Sequence, residues 1–168
     1  KDPAKAGALY ERACEAGQPT ACYNLGTMLG QAGALARDDA RAAQLFQRSC
    51  EGGVLFGCSN LGAMYIEGRG VAASRLKAAD WSERACTKEH TSGCFNLGVL
   101  FLQGGEIPED LPRAAAMFER VCTGDKVQGC VNVALMYQRG QGVPKDEAKA
   151  KQLLERACSG GVANACGR

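Results

Sequence analysis

The nine residues Cys50-Glu51-Gly52-Gly53-Val54-Leu55-Phe56-Gly57-Cys58 decide the fold, because both ends of the stretch recur along the chain in fixed register. Cysteines stand at 14 and 22, 50 and 58, 86 and 94, 122 and 130, and 158 and 166: eight apart within a pair and thirty-six from pair to pair. No insertion or deletion interrupts the series. Strict self-similarity at this period is the signature of stacked supersecondary units.

Other residues keep the same phase. Arg12, Arg48, Arg84, Arg120 and Arg156 each precede the first cysteine of a pair by two, and Asn24, Asn60, Asn96 and Asn132 each follow the second by two. Asp38, Ser74, Asp110 and Asp146 share a third phase, each ahead of an alanine-rich run of 3.6 periodicity, which reads as a helix N-cap. The run after Asp38 presents Ala42, Leu45, Phe46 and Ser49 as a buried stripe, and the run after Ser74 presents Ala78, Trp81, Ser82 and Ala85. Glycines after the first cysteine supply the left-handed stop. Each arginine then lies in a last turn, where a cation favours the helix dipole.

The first helix of the next repeat follows, from Val54 to about Glu67 in the copy quoted above, with Cys58, Leu61, Gly62 and Tyr65 on its packed face. Gly26, Gly62, Gly98 and, in the fourth copy, Ala134 keep this helix small at mid-length, which implies close approach of a neighbour. A glycine-rich turn leads to the next N-cap. The unit is a helical hairpin, and one hairpin cannot bury its apolar face alone. The expected fold is all-α: an α-solenoid, a right-handed superhelix of stacked hairpins forming one domain over 1–168. Its parts are a half-repeat at about 1–17, full repeats at about 18–53, 54–89, 90–125 and 126–161, and a stub at 162–168, where Arg168 replaces the next asparagine.

Ala21-Cys22-Tyr23-Asn24-Leu25-Gly26, Gly93-Cys94-Phe95-Asn96-Leu97-Gly98, the Gly-x-Gly-Val that follows Met64-Tyr65, and Gly140-x-Gly142-Val143-Pro144-Lys145-Asp146 resemble the Sel1-like repeat, a relative of the tetratricopeptide repeat. The cysteine pairs resemble more narrowly those of the Helicobacter cysteine-rich proteins, secreted disulfide-bonded solenoids of this class. The resemblance covers essentially the whole chain. It implies an interaction scaffold whose first helices line a concave face. It also implies an alternative, a weak penicillin-binding or β-lactamase-like hydrolase.

Ten cysteines in strict pairs point to disulfides and an oxidising compartment, and hence to the mature part of a secreted or periplasmic protein. The mitochondrial intermembrane space, which also oxidises cysteines, is a further alternative with an assembly-factor role. Repeat symmetry admits a local pairing, Cys14 with Cys22, Cys50 with Cys58, Cys86 with Cys94, Cys122 with Cys130 and Cys158 with Cys166. It also admits a shifted pairing that strands Cys14 and Cys166. The local set is preferred, because the end of one helix and the start of the next lie within bonding range. Structural zinc wants four converging ligands, which two thiols per repeat and the single His90 do not supply, and redox catalysis prefers Cys-x-x-Cys. His90 itself reads as a solvated turn residue.

A net charge of +2 calls for no nucleic acid, and no apolar run reaches the roughly 18 residues of a membrane span. No cofactor motif and no catalytic constellation is present. Ser74-Arg75-Leu76-Lys77 matches the Ser-x-x-Lys of serine β-lactamases, but Ser74 holds the cap phase and Lys77 the phase of Arg41, Arg113 and Lys149. The expectation is therefore a non-enzymatic monomer that binds a protein or peptide. The candidate contacts are the ladder Asn24, Asn60, Asn96 and Asn132, with Tyr23 and Phe95 beside it and Gln31, Glu67, Gln103 and Arg139 beyond. Ser59 and Val131, and the row Met28, Met64, Leu100 and Met136, flank the same ladder. The alternative for the amides is hydrogen bonding between repeats, with the Met/Leu row as core.

Overall fold

A computed structural model describes residues 2–31, 35–87, 90–123 and 127–167. Arg168, read above at the asparagine phase, lies outside them. Among the described residues there are nine α-helices, one 3-10 turn and no strand. The helices are α1 (Pro3–Glu15), α2 (Pro19–Gly30), α3 (Asp39–Glu51), α4 (Leu55–Glu67), α5 (Arg75–Arg84), α6 (Ser92–Gln103), α7 (Leu111–Thr123), α8 (Gln128–Arg139) and α9 (Glu147–Ser159); the 3-10 turn is Ala163–Ala165. The fold is an α-solenoid of helical hairpins, and the chain falls into two compact units, Lys1–Ala85 and Cys86–Arg168.

In the first unit α1 to α5 pack each against the next. Asp38 and Ser74 cap their helices as the sequence marks, and Asp2 adds a cap not marked there. Asp38 accepts the backbone N–H of Arg41 at 2.9 Å and Ser74 that of Lys77 at 3.4 Å, while Asp2 caps α1 from Ala4 at 3.0 Å. A cap of this kind contributes about 1 kcal/mol. After Cys50 the left-handed residue is Gly53, at φ +90°, one beyond the helix end at Gly52. The core gathers Leu25, Leu29, Ala42, Leu45, Phe46, Leu61 and Met64, all buried. Each large apolar side chain taken fully from water stabilises by about 1.5–3 kcal/mol.

In the second unit α6 packs on α7, α7 on α8 and α8 on α9. Asp110 and Asp146 cap α7 and α9 from Arg113 and Lys149, at 3.0 and 2.8 Å. Leu97, Leu100, Phe101, Phe118, Val121, Val133, Met136 and Leu154 are buried here.

All five disulfides join the local pairs, with Cα–Cα distances between 4.5 and 4.9 Å. In the Cys50–Cys58 and Cys122–Cys130 pairs the residue just before the second cysteine is a glycine at a close approach of backbones, whereas Ala21 and Ala165 precede Cys22 and Cys166. A Cβ on Gly57 would stand 2.9 Å from the carbonyl oxygen of Phe46, and one on Gly129 2.6 Å from that of Phe118, so only glycine lets the two backbones meet here. The mid-helix glycines meet a different neighbour. Gly26 faces the Phe46 ring and Gly98 the Phe118 ring, where an added Cβ would lie 3.0 and 2.7 Å away. The close approach expected at this phase is thus a ring seated on a helix.

One residue departs from expectation and a second does more than expected. His90 is buried, with 7% of its surface exposed. It closes a turn with Thr87, whose hydroxyl accepts the His90 N–H at 3.1 Å and whose N–H donates to the His90 carbonyl at 3.1 Å. Satisfying its backbone N–H and carbonyl locally is what lets His90 leave solvent. Arg48 lies in the last turn of its own helix as expected, and its side chain also donates to the carbonyl of Cys14 at 2.9 Å, capping the last turn of α1.

Candidate functional site

Each asparagine of the ladder sits two residues beyond a disulfide cysteine on a first helix: Asn24 on α2 and Asn60 on α4 in one unit, Asn96 on α6 and Asn132 on α8 in the other. Two residues turn a helix by about 200°, so a cysteine anchored to the preceding helix carries its asparagine to the opposite side. All four amides are half-buried. Among the described residues the side chains of Asn24, Asn60 and Asn132 make no hydrogen bond, whereas Asn96 is engaged within the protein. Internal bonding between repeats therefore does not account for three of the four. An amide at one helical phase normally costs a few tenths of a kcal/mol against better helix formers.

The flanking residues divide. Tyr23 lies 6.0 Å from the ring of Phe46 and 5.8 Å from that of Phe56, and Phe95 lies 5.7 Å from Phe118, so both are half-buried walls. Gln31, Glu67, Gln103 and Arg139 end their helices exposed. Met64, Leu100 and Met136 are buried, which assigns that row to the core, and Ser59 is buried as well; Met28 and Val131 are half-buried.

Sequence reading missed a cavity in the first unit of about 190 Å³, bounded by Thr27, Gly30 and Gln31 of α2 and its end, Phe46 of α3, Asn60 and Ala63 of α4, and Arg69 from the turn beyond. Its signal lies in residue size: seventy-two residues on from Thr27, Gly30 and Ala63 come the larger Val99, Leu102 and Leu135. Arg69 also stands alone at a phase otherwise holding Gly33, Gly105 and Gln141. Its guanidinium lies 3.4 Å from Glu67 and 3.9 Å from Asp39, which Arg37 holds at 2.7 Å.

A second missed feature is a series of cations over rings. Lys77 lies 5.6 Å from the centre of the Tyr65 ring, Arg113 4.1 Å from Phe101 and Lys149 4.1 Å from Tyr137. In the second unit the series joins a network, where the Tyr137 hydroxyl donates to Glu119 at 2.7 Å and Lys149 donates to Glu119 at 2.9 Å and to the Tyr137 oxygen. Burial pushes the Glu119 carboxyl up, but the bonds from Tyr137 and Lys149 outweigh it and hold the group below its ordinary value. The bonds to Tyr137 and Glu119 raise Lys149 correspondingly. Ser74 and Lys77 thus each have a structural task, the serine capping α5 and the lysine lying over Tyr65.

No helix among the described residues is long and apolar enough to cross a membrane. The profile of the Sel1 repeat matches residues 1–18, 19–54, 56–90, 91–124 and 127–162. A search of the curated proteins finds none that matches. Among solved structures, c5321, described as a protective antigen of uropathogenic Escherichia coli strains displaying an SLR fold, is 26% identical over 95% of this chain and 34% of its own, with a TM-score of 0.84. A Sel1 repeat protein from Oxalobacter formigenes is 20% identical over 95% of this chain and 63% of its own, with a TM-score of 0.88. The chain therefore spans about a third of the first structure and under two thirds of the second. Helicobacter pylori cysteine rich protein B is 24% identical over 99% of this chain and 94% of its own, at a TM-score of 0.38.

Proposed function

This chain belongs to the Sel1 repeat family, whose members are generally non-enzymatic scaffolds for protein–protein interaction, and from that premise we propose that it is a secreted or periplasmic monomer that holds an extended peptide segment of a protein partner through the amides of its first helices. The observation that carries the reading is the set of half-buried amides at Asn24, Asn60 and Asn132 that bond nothing within the described residues. An amide offers donors and an acceptor together, so it matches a peptide backbone whatever the sequence, while neighbours that differ from copy to copy set specificity. Those neighbours are Tyr23, Gln31 and Glu67 in the first unit and Phe95, Gln103 and Arg139 in the second; by family resemblance each set lies on a concave face. Five disulfides support an oxidising compartment.

The test begins with peptides selected from a displayed random library on the oxidised protein. Asn24→Ala with Asn60→Ala removes two amide contacts of about 0.5–1.5 kcal/mol each, so binding weakens roughly 5- to 150-fold. Thermal stability stays nearly constant, because neither amide bonds the fold. A loss of stability in step with the loss of binding would assign the amides to the frame instead.

A further inference from the structure

Arg69 has bonding capacity that the fold does not use. Its Nε is buried without a hydrogen-bond partner, although the guanidinium has five N–H donors. Asp39 bonds Arg37 at 2.7 Å through one oxygen, while its other oxygen, buried without a hydrogen bond, faces Arg69 at 3.9 Å, beyond hydrogen-bond range. The second counter-charge is Glu67 at 3.4 Å, on a side chain 56% exposed that solvent can take back. The amide of Asn60, free of internal bonds, and the side chain of Gln31 border the same cavity. Phe46 and Ala63 add apolar lining to the same cavity, and about 190 Å³ suits one amino-acid side chain.

We propose that this cavity is a subsite for a carboxylate, which accepts from Arg69 in place of Glu67 and from the amides of Asn60 and Gln31, while its methylene stem lies on Phe46 and Ala63. The inference rests on the groove reading above, and adds to it the class of side chain the first unit selects. A planar guanidinium binds a carboxylate through two parallel bonds, which a neutral amide cannot match in strength. In the second unit Val99, Leu102 and Leu135 replace the small residues at these phases, so the selectivity belongs to one repeat and not to the family pattern.

Side-chain 15N NMR of the oxidised chain, observing Arg69 Nε–H and the Asn60 amide, reads the subsite directly. The probes are N-acetyl-glutamate N-methylamide, its glutamine counterpart, and N-acetyl-alanine, which carries a carboxylate only at its end. Saturable shifts are expected with the glutamate probe and about fivefold weaker binding of the glutamine probe. The tighter of the two acids identifies the source as side chain or chain terminus. Arg69→Gln abolishes the difference and Arg69→Lys restores part of it. Ala63→Leu leaves every charge in place, borrows the residue the repeat itself uses at 135, and blocks the probe. Equal binding of glutamate and glutamine, or shifts that survive both Arg69→Gln and Ala63→Leu, or no saturable shift at all, overturns the proposal. If selected peptides still require Asn24 and Asn60 while the acid probe fails, the carboxylate subsite falls and the groove stands; saturation by the acid with peptides indifferent to the amides fails the groove alone.

Discussion

Removing the Cys122–Cys130 disulfide should cost far more than removing Cys158–Cys166, although both close loops of the same length, with a separation of eight residues. The chain-entropy relation assigns each about 2.5 kcal/mol, since it depends on loop length alone. Cys122 and Cys130 are 1% and 0% exposed and join α7 to the full helix α8. Replacing both by alanine adds a packing loss of about 0.5–1.5 kcal/mol, for about 3–4 kcal/mol in all. Cys166 is exposed and, among the described residues, ties down the 3-10 turn Ala163–Ala165, which packs on α9. Once that bridge is gone the turn can release without unfolding α9, so the cost is capped by the turn's own docking, under about 1 kcal/mol. The assay is urea unfolding of the two double-alanine variants, followed by far-UV circular dichroism and by amide exchange of α7 and α8. Equal losses in the two variants, or a loss below about 1 kcal/mol for Cys122→Ala with Cys130→Ala, would refute the reasoning.

Gly98→Ala places a Cβ 2.7 Å from the Phe118 ring and should destabilise by about 1–3 kcal/mol in the same unfolding assay. Adding Phe118→Leu should recover much of this, since Ala134 and Leu154 occupy the two phases together in the fourth copy. Ser74→Ala should cost about 1 kcal/mol by loss of the α5 cap, seen as a lower melting temperature, and should leave any turnover of a chromogenic β-lactam unchanged; turnover abolished by this substitution would revive Ser74 as a nucleophile. The folded Glu119 carboxyl is held below its unfolded value of about 4.3, so its stabilising contribution is complete above that pH and is lost as pH falls through the folded value. Glu119→Gln should accordingly flatten the acid limb of stability measured by urea titration at successive pH values.

What could be read in advance was whatever repeats. Helix starts at Asp38, Ser74, Asp110 and Asp146, the local disulfide pairing and the hairpin unit all concern partners within about eight residues, where helix geometry alone fixes the neighbour. Arg48 shows where that limit lies. Its phase was plain, but a long flexible side chain has many acceptors within reach, and the carbonyl of Cys14 is thirty-four residues away. The burial of Met64, Leu100 and Met136 likewise depends on which stripe of a two-faced helix the next hairpin covers.

The sequence by itself thus determined the period, the helices with their caps, and the cysteine frame, because each is enforced by short-range geometry repeated in every copy. Tertiary structure alone decided which amides are left unbonded, that His90 is buried, and that Thr27, Gly30 and Ala63 leave a cavity beside Arg69. A cavity is missing volume bounded by several elements, so no single segment encodes it; it exists only once α2, α3 and α4 have packed and the small residues on them face one another.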